Sequence, residues 1–142
     1  KGEIIFQHRA KDKDTYPDML DATVGGHVEM GDSYDKTALK EMEEETGIKG
    51  NLEDLHFLTK FKKRSEDKVT KTINNTIRAQ YAYVYRGSVN NLLVENSKAL
   101  GFEAWPIDKL SNLNGEDRNK FIPLILEPDM LQLFQKAKAL IN

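Results

Sequence analysis

Four glutamates are crowded toward the end of the stretch GGHVEMGDSYDKTALKEMEEETGIKG (25–50), at Glu41, Glu43, Glu44 and Glu45. If residues 33–46 form a helix, these acids lie near its negative C-terminal end, where each is disfavoured by roughly 0.3–1 kcal/mol. Glu41 would also stand three and four residues from Glu44 and Glu45, a spacing at which like charges repel. The stretch is therefore either a solvated acidic face or a place where a bound cation offsets the repulsion.

A helical wheel separates these acids into two groups. With Glu41 at zero degrees and ~100° per residue, Glu44 falls near −60° and Glu45 near +40°. Glu43 falls near 200°, on the opposite side. We call Glu41, Glu44 and Glu45 the three-carboxylate arc. Hard oxygen donors at this spacing suit Mg²⁺ or Mn²⁺. The apolar stripe that borders the arc comprises Tyr34, Ala38 and Met42, with Leu39 nearby.

The chain as a whole is typical of one small domain, residues 1–142. Its 142 residues carry 21 Lys plus Arg against 23 Asp plus Glu, a formal net charge of −2, so no global attraction to a nucleic acid polymer is expected. The absence of cysteine excludes disulfides, thiolate metal sites and cysteine nucleophiles. No apolar run reaches the ~20 residues of a membrane span and no signal peptide is visible, so we expect a cytoplasmic protein.

Hydrophobic periodicity predicts mixed strands and helices, an α/β arrangement. The acidic helix has an N-cap at Asp32 or Ser33 and a left-handed stop at Gly47. The polar stretch 62–71 is expected to be a basic hairpin or loop that could steer an anionic substrate. The strands are expected at 3–8, 20–24, 55–61, 75–86 and 101–105, a turn or short helix at 107–110, and an amphipathic helix from Pro128.

The acidic stretch resembles the Nudix box, which runs Gly, any five residues, Glu, any seven, then Arg-Glu-aliphatic-any-Glu-Glu-any-Gly-aliphatic. Asp32 stands where the box has Glu, and Lys40 stands where it has Arg. Lys lacks the bidentate fork of a guanidinium, so it cannot brace carboxylates in the same way. The positions that match outright are Gly26, Glu41, Glu44, Glu45 and Gly47, with Met42 and Ile48 in the two apolar slots.

The resemblance extends beyond the box. The segment IIFQHRAKDKDTYPDMLDATVGGHV is similar to the approach to the box in Nudix proteins related to isopentenyl diphosphate isomerase. GFEAWPIDKL is similar to the strand and turn that follow it. The family usually has a strand before EIIFQHR, whereas this sequence opens at Lys1, so we expect it to start inside a longer protein or to replace that strand. The resemblance implies an α/β/α sandwich with a mixed sheet, and the incomplete N-terminal edge is compatible with a homodimer.

The resemblance also implies a chemistry and a set of site residues. Members hydrolyse a nucleoside diphosphate linked to another group, with water attacking phosphorus and Mg²⁺, or Mn²⁺, held by the box. Which glutamate orients or deprotonates the water is left open, and Glu95 and Glu103 are candidates outside the box. Carried over by position, the metal ligands are the carbonyl of Gly25 and the carboxylates of Glu41, Glu44 and Glu45. Two residues could meet the substrate, Arg9 and His27.

Two other functions are compatible with parts of the pattern. An isopentenyl diphosphate isomerase relies on a catalytic cysteine, and this chain has none. A non-catalytic nucleotide-sensing Nudix domain usually loses box glutamates, whereas all three are present here. A hydrolase is therefore the favoured interpretation. The sequence does not choose among a triphosphate, a dinucleotide, a sugar nucleotide and a non-nucleotide diphosphate as substrate.

Overall fold

The computed structural model describes residues 2–23, 28, 31–94 and 99–141. Three strands form one antiparallel sheet in the order β2-β1-β5: β1 (Glu3–Arg9), β2 (Leu20–Ala22) and β5 (Ala99–Pro106). Two longer strands, β3 (Leu55–Glu66) and β4 (Ile73–Tyr83), form an antiparallel hairpin. The four α-helices of the described residues are α1 (Tyr34–Thr46), α2 (Ile107–Leu110), α3 (Gly115–Arg118) and α4 (Pro128–Lys138).

The hydrophobic core lies on one face of the three-stranded sheet. Phe6 in β1 is fully buried, and its ring meets those of Phe121 and Phe134 edge to face, at 5.1 and 5.8 Å between centroids. Such pairs contribute about 0.5–1.5 kcal/mol each beyond the area they bury. A parallel bridge between Leu20 and Phe121 connects β2 to the segment before α4. A mixed sheet was expected from the sequence. The pairs of described strands are antiparallel, so the parallel element among the described residues is this bridge.

The β3–β4 hairpin lies between two helices. Gln80 of β4 donates a hydrogen bond to the sulfur of Met130 in α4, at 3.7 Å. Successive side chains of a strand point to opposite faces, so Tyr81 points away from α4. Burial raises the pKa of Tyr81, with further contributions from Asp35 and Tyr34 at the start of α1. The hairpin is therefore the middle layer of an α/β/α arrangement, with α1 on one face and α4 on the other.

The helix α1 begins and ends where its capping residues predict. The Ser33 hydroxyl accepts a hydrogen bond from the backbone N–H of Lys36, at 3.4 Å, and so caps the first turn. Gly47 adopts a left-handed φ of 77°, and its N–H donates to the carbonyl of Glu43 at 2.9 Å. A residue with a Cβ would be strained at this φ, so Gly47 fixes the last turn of the helix.

The C-terminal helix covers one side of the hydrophobic core. The helix α4 packs on the sheet through Met130, Leu131 and Phe134. Its Lys136 Nζ donates to the carbonyl of Leu58 in β3, at 2.7 Å, which joins the helix to the hairpin. No helix in the described part of the chain is long and apolar enough to cross a bilayer.

Candidate active site

Part of the polar side of α1 is buried, which a fully solvated acidic face would not be. Glu45 is 8% exposed and Glu41 is half-buried, whereas Glu43 and Glu44 are exposed. Thr37 is also 8% exposed. Thr37, Glu41 and Glu45 follow one another at four-residue intervals and so form a ridge along the helix. The sequence places the three-carboxylate arc beside the apolar stripe, and Glu41 and Glu45 are withdrawn from solvent accordingly, whereas Glu44 is exposed.

The segments after α1 hold its C-terminal end in place. The N–H of Leu93 donates to the carbonyl of Thr46, at 2.9 Å, so a loop crosses the end of the helix. A Cβ added at Gly47 would stand 2.8 Å from the Leu93 side chain. A Cβ at Gly50 would meet Met42 at 2.8 Å and Tyr83 at 2.9 Å. The two glycines therefore permit close packing, and this packing positions the turn of α1 that carries Glu44 and Glu45.

The donor set on α1 fits a hard divalent cation that also binds other ligands. Among the described residues, no three acidic or histidine side chains are gathered closely enough to form a metal cluster by themselves. Mg²⁺ does not require such a cluster, because it is commonly held by one or two carboxylates, with waters and substrate phosphates completing its shell. Carboxylates of the three-carboxylate arc supply donors of the required kind. A cation there would also relieve the repulsion between neighbouring acids.

Arg9 is engaged by the protein itself. Its Nη1 donates to Asp21 across the β1–β2 pair, at 3.0 Å, and its Nη2 donates to the carbonyl of Thr15, at 2.9 Å. These bonds tie the loop after β1 to β2. The Nε atom of Arg9 is buried without a hydrogen-bond partner in the described structure. Contact between Arg9 and a substrate stays a prediction, and it would require one of the bonds of the terminal nitrogens to open.

Three of the predicted site residues, Gly25, His27 and Glu95, lie outside the described residues. Glu103 is described, in β5 opposite Phe6. Its carboxylate accepts a hydrogen bond from the indole N–H of Trp105, at 2.8 Å. Lys120, whose Nζ lies 5.5 Å from the centre of the Trp105 ring, stands in the same neighbourhood. Glu103 therefore lies beside the core of the three-stranded sheet, and its carboxylate is already hydrogen-bonded to Trp105.

Two features beside α1 were not singled out from the sequence. Thr37 has a buried hydroxyl without a hydrogen-bond partner among the described residues. Its sequence signal is only its position four residues before Glu41. Lys60 of β3 lies with its Nζ 4.6 Å from the centre of the Tyr34 ring, a cation–π contact at the start of the helix. This contact depends on a long-range approach, which local periodicity does not reveal.

Two clefts of the described structure lie away from the three-carboxylate arc. One of about 470 Å³ has an apolar floor that includes Met19, Phe121 and Leu126, with Arg118 and Glu127 at its margin. Another of about 320 Å³ lies between Thr59 of β3 and α4. Neither is lined by a residue of α1.

The architecture and the acidic helix together define an α/β domain with a carboxylate-bearing helix packed on a hairpin. The NUDIX domain family model matches residues 1–125, and the chain belongs to the Nudix family. An uncharacterized Nudix hydrolase of Yersinia pestis is 49% identical over 49 residues, which are 34% of this chain and 27% of that protein. The alignment thus covers about a quarter of that relative's length.

Solved structures support the same fold. DR0079 of Deinococcus radiodurans superposes with a TM-score of 0.63 at 17% identity, covering 96% of this chain and 75% of that one. A C. elegans Ap4A hydrolase superposes with a TM-score of 0.55 at 16% identity, covering 98% of this chain and 85% of that one. At these identities the likeness concerns the fold. It confirms the α/β Nudix architecture expected from the sequence.

Proposed function

We propose that this chain is a divalent-cation-dependent hydrolase that cleaves a pyrophosphate bond in a nucleoside diphosphate-linked substrate. Family membership supports this class of reaction, because Nudix hydrolases use divalent cations and act on nucleotide-linked substrates. The observation that carries the proposal is the contrast within one helix turn. Two members of the three-carboxylate arc are withdrawn from solvent, Glu45 at 8% exposure and Glu41 half-buried, whereas Glu43 on the opposite side is exposed. Glu44, at the edge of the arc, is exposed as well.

The glutamates of α1 would bind the cation and orient the attacking water. Glu41, Glu44 and Glu45 are the proposed ligands of the cation, Mg²⁺ or Mn²⁺, with the carbonyl of Gly25 as a further ligand. One or two of the carboxylates at a time would hold the ion, and waters and substrate phosphates would complete its shell. A bound cation supplies charge that screens the phosphate oxygens and lowers the pKa of a coordinated water. Partial burial lowers the local dielectric constant, so a charge held by Glu41 and Glu45 acts more strongly than it would in bulk water. One glutamate must also orient the attacking water.

Substrate binding would draw on other elements. His27 would lie near the diphosphate because it follows the glycine pair directly. Arg9 would contribute through its terminal guanidinium nitrogens once the bond to Asp21 or to Thr15 opens. The Ap4A hydrolase named among the similar structures makes a dinucleoside polyphosphate one reasonable candidate substrate. A triphosphate, a sugar nucleotide and a non-nucleotide diphosphate are the others.

The test is a substrate panel with and without cation. The chain is incubated with Mg²⁺ and with a dinucleoside tetraphosphate, a nucleoside triphosphate, a nucleoside diphosphate sugar and isopentenyl diphosphate, and the products are identified by mass spectrometry. Run in ¹⁸O water, the expected products carry one ¹⁸O on a phosphate, because water attacks phosphorus. A chelator should abolish the reaction. Isomerisation without hydrolysis, or binding without turnover, would overturn the proposal in favour of an isomerase or a sensor domain.

A further inference from the structure

The distal half of the β3–β4 hairpin extends away from the helices. The near half is in contact with α1 and α4, and the Lys60 Nζ lies 4.6 Å from the centre of the Tyr34 ring. Beyond Lys60, β3 continues for six residues to Glu66, a length of roughly 20 Å. Except for the half-buried Thr76, the side chains described between residues 61 and 78 are exposed. We call residues 61–78 the arm.

The arm exposes large apolar side chains. Phe61 is 39% exposed, Ile73 48% and Ile77 45%, and Val69 in the turn is 91% exposed. Ile73 and Ile77 lie on the same face of β4, because alternate residues of a strand point to the same side. A two-stranded hairpin without a covering layer is only marginally stable in water, and its free edges favour pairing with another chain. The arm therefore has the properties of a surface that another molecule covers.

The arm and the rest of the chain carry opposite net charges. Residues 61–78 contain six Lys or Arg and two Asp or Glu, a net charge of +4. The whole chain contains 21 basic and 23 acidic residues, so the remaining residues number 15 and 21, a net charge of −6. A second copy of the chain attracts the arm, whereas the body would repel a polyanion such as a nucleic acid. The charge distribution therefore favours a second copy as the molecule that covers the arm.

The opposite end of the hairpin carries a complementary surface. Glu53 and Asp54 are exposed in the turn that precedes β3, and this turn is in contact with α1. Leu52 in the same turn is 46% exposed. Leu93, which is 68% exposed, borders the C-terminal end of α1, where its N–H donates to the carbonyl of Thr46. We call Leu52, Glu53, Asp54 and Leu93 the acidic end. It offers both the apolar groups and the negative charge that the arm lacks a partner for.

We propose that the arm of one copy binds the acidic end of a second copy, and reciprocally, in a two-fold symmetric dimer. The two surfaces lie at opposite ends of one hairpin, so two chains aligned head to tail bring both pairs together at once. The 18 residues of the arm and the acidic end together reach the roughly 20–30 residues a side of a standard interface. Pairing of arm with arm would instead bring two surfaces of net charge +4 together.

The experiment exchanges charges between the two surfaces of the full chain. Sedimentation measures the dimer, whose mass is twice the 16.2 kDa of the chain, over a range of protein and salt concentrations. Lys68→Glu with Lys71→Glu should raise the dimer dissociation constant at least about tenfold, and so should Glu53→Lys with Asp54→Lys. Because the four changes together restore opposite charges, the combined variant should return to within about threefold of the parent. A parent that is monomeric at every concentration, or a combined variant that is not rescued, would overturn the proposal.

Two further variants separate the dimer from general charge effects. Lys11→Glu with Lys109→Glu makes the same charge change at exposed positions outside both surfaces, and should leave the dissociation constant within about twofold of the parent. Ile73→Thr with Ile77→Thr keeps β-branched residues and removes apolar surface, and should weaken the dimer about tenfold. Equal weakening by the Lys11 and Lys109 changes would contradict the arm as the interface. A monomeric parent that binds poly(U) RNA or phosphatidylserine vesicles would show that a polyanion, and not a second copy, covers the arm.

Discussion

Thr37 and Thr46 are both buried in α1, but their hydroxyl groups are in opposite situations. Thr46 Oγ1 donates to the carbonyl of Met42 at 2.5 Å and accepts from the N–H of Ile48 at 3.2 Å. Thr37 Oγ1 has no partner in the described structure. A buried hydroxyl without a partner costs free energy, whereas a bonded one contributes. The same substitution at the two positions should therefore have different consequences.

Thr46→Val should destabilise the fold by about 1–3 kcal/mol, because the N–H of Ile48 would lose its acceptor. Thr37→Val keeps the shape and removes the unpaired hydroxyl, so the free energy of unfolding should change by less than about 0.5 kcal/mol or increase. Denaturant unfolding of both variants measures the difference. Equal destabilisation would mean that the Thr37 hydroxyl is hydrogen-bonded in the folded protein, and the interpretation of Thr37 would be wrong.

The hydrogen bonds around Asp108 predict an acid-dependent contribution to stability. Lys138 Nζ donates to Asp108 Oδ2 at 2.7 Å and Gln135 Nε2 to Oδ1 at 3.4 Å, and these bonds lower the pKa of the carboxyl. A carboxyl with a lowered folded-state pKa stabilises the fold above its unfolded value of about 3.9, and this stability is lost as the pH falls through the folded pKa.

Lys138→Gln should bring the pKa of Asp108 back toward its ordinary value, since its principal donor is changed and the nearby charge is removed. Carboxyl carbon NMR during an acid titration measures this directly. Lys136→Gln is the control, because it removes a charge from the same helix at a side chain whose donor contact is with Leu58. An Asp108 titration that shifts equally in both variants would attribute the lowered pKa to general charge instead of to these hydrogen bonds.

The sequence predicted the fold where local rules apply. The bounds of α1 follow from the cap at Ser33 and the stop at Gly47, and the structure agrees with both. The hairpin was predicted less well. The strand was expected to end at residue 61, with a basic hairpin or loop over 62–71; the structure has the hairpin, and β3 continues to Glu66 because polar side chains are tolerated where the distal hairpin is open to solvent. Tyr85 was expected to continue the strand pattern, but β4 ends at Tyr83 and Tyr85 instead donates to the carbonyl of Ser88 at 3.0 Å.

The candidate site was also predictable only in part, because local spacing can be read from the sequence and tertiary packing cannot. Helical geometry places Glu41, Glu44 and Glu45 on one arc from spacing alone. The difference in burial between Glu44 and Glu45 depends on which segments cover α1, among them the loop that reaches Thr46 through Leu93. The internal contacts of Arg9 depend likewise on the long-range pairing of β1 with β2. Local pattern supplies the residue types, and tertiary packing decides their environments.

Cation binding should stabilise the folded protein. The folded helix places the carboxylates of the three-carboxylate arc on one side of α1, an order that the unfolded chain lacks, so a divalent ion should bind the native state preferentially. At a hundredfold excess of free ion over the dissociation constant, the gain would be about 2.7 kcal/mol. Thermal melts in Mg²⁺ and in chelator measure it, with Na⁺ at matched ionic strength as the control. Coincident curves at saturating Mg²⁺ would support a solvated acidic face instead of a metal site.

Glu45 and Glu43 provide the sharpest comparison, because they are separated only by Glu44 but lie on opposite sides of α1. Glu45→Gln keeps the size of the side chain and removes one negative charge from a proposed metal ligand. If that charge positions the cation, turnover should fall at least about 10²-fold, equivalent to about 2.7 kcal/mol of transition-state stabilisation. The unfolding free energy of the same protein in chelator is measured alongside, because Glu45 is buried and its replacement also tests the packing of α1.

Glu43→Gln is the matched control, since it removes the same charge from the same end of the helix at an exposed position. It should leave turnover within a few-fold of the parent and should stabilise α1 slightly, because an acid near the helix C-terminus is unfavourable by about 0.3–1 kcal/mol. Steady-state rates at saturating Mg²⁺ for the two variants decide the matter. Equal losses of activity would mean that these glutamates act only through bulk negative charge, and the metal site on α1 would have to be abandoned.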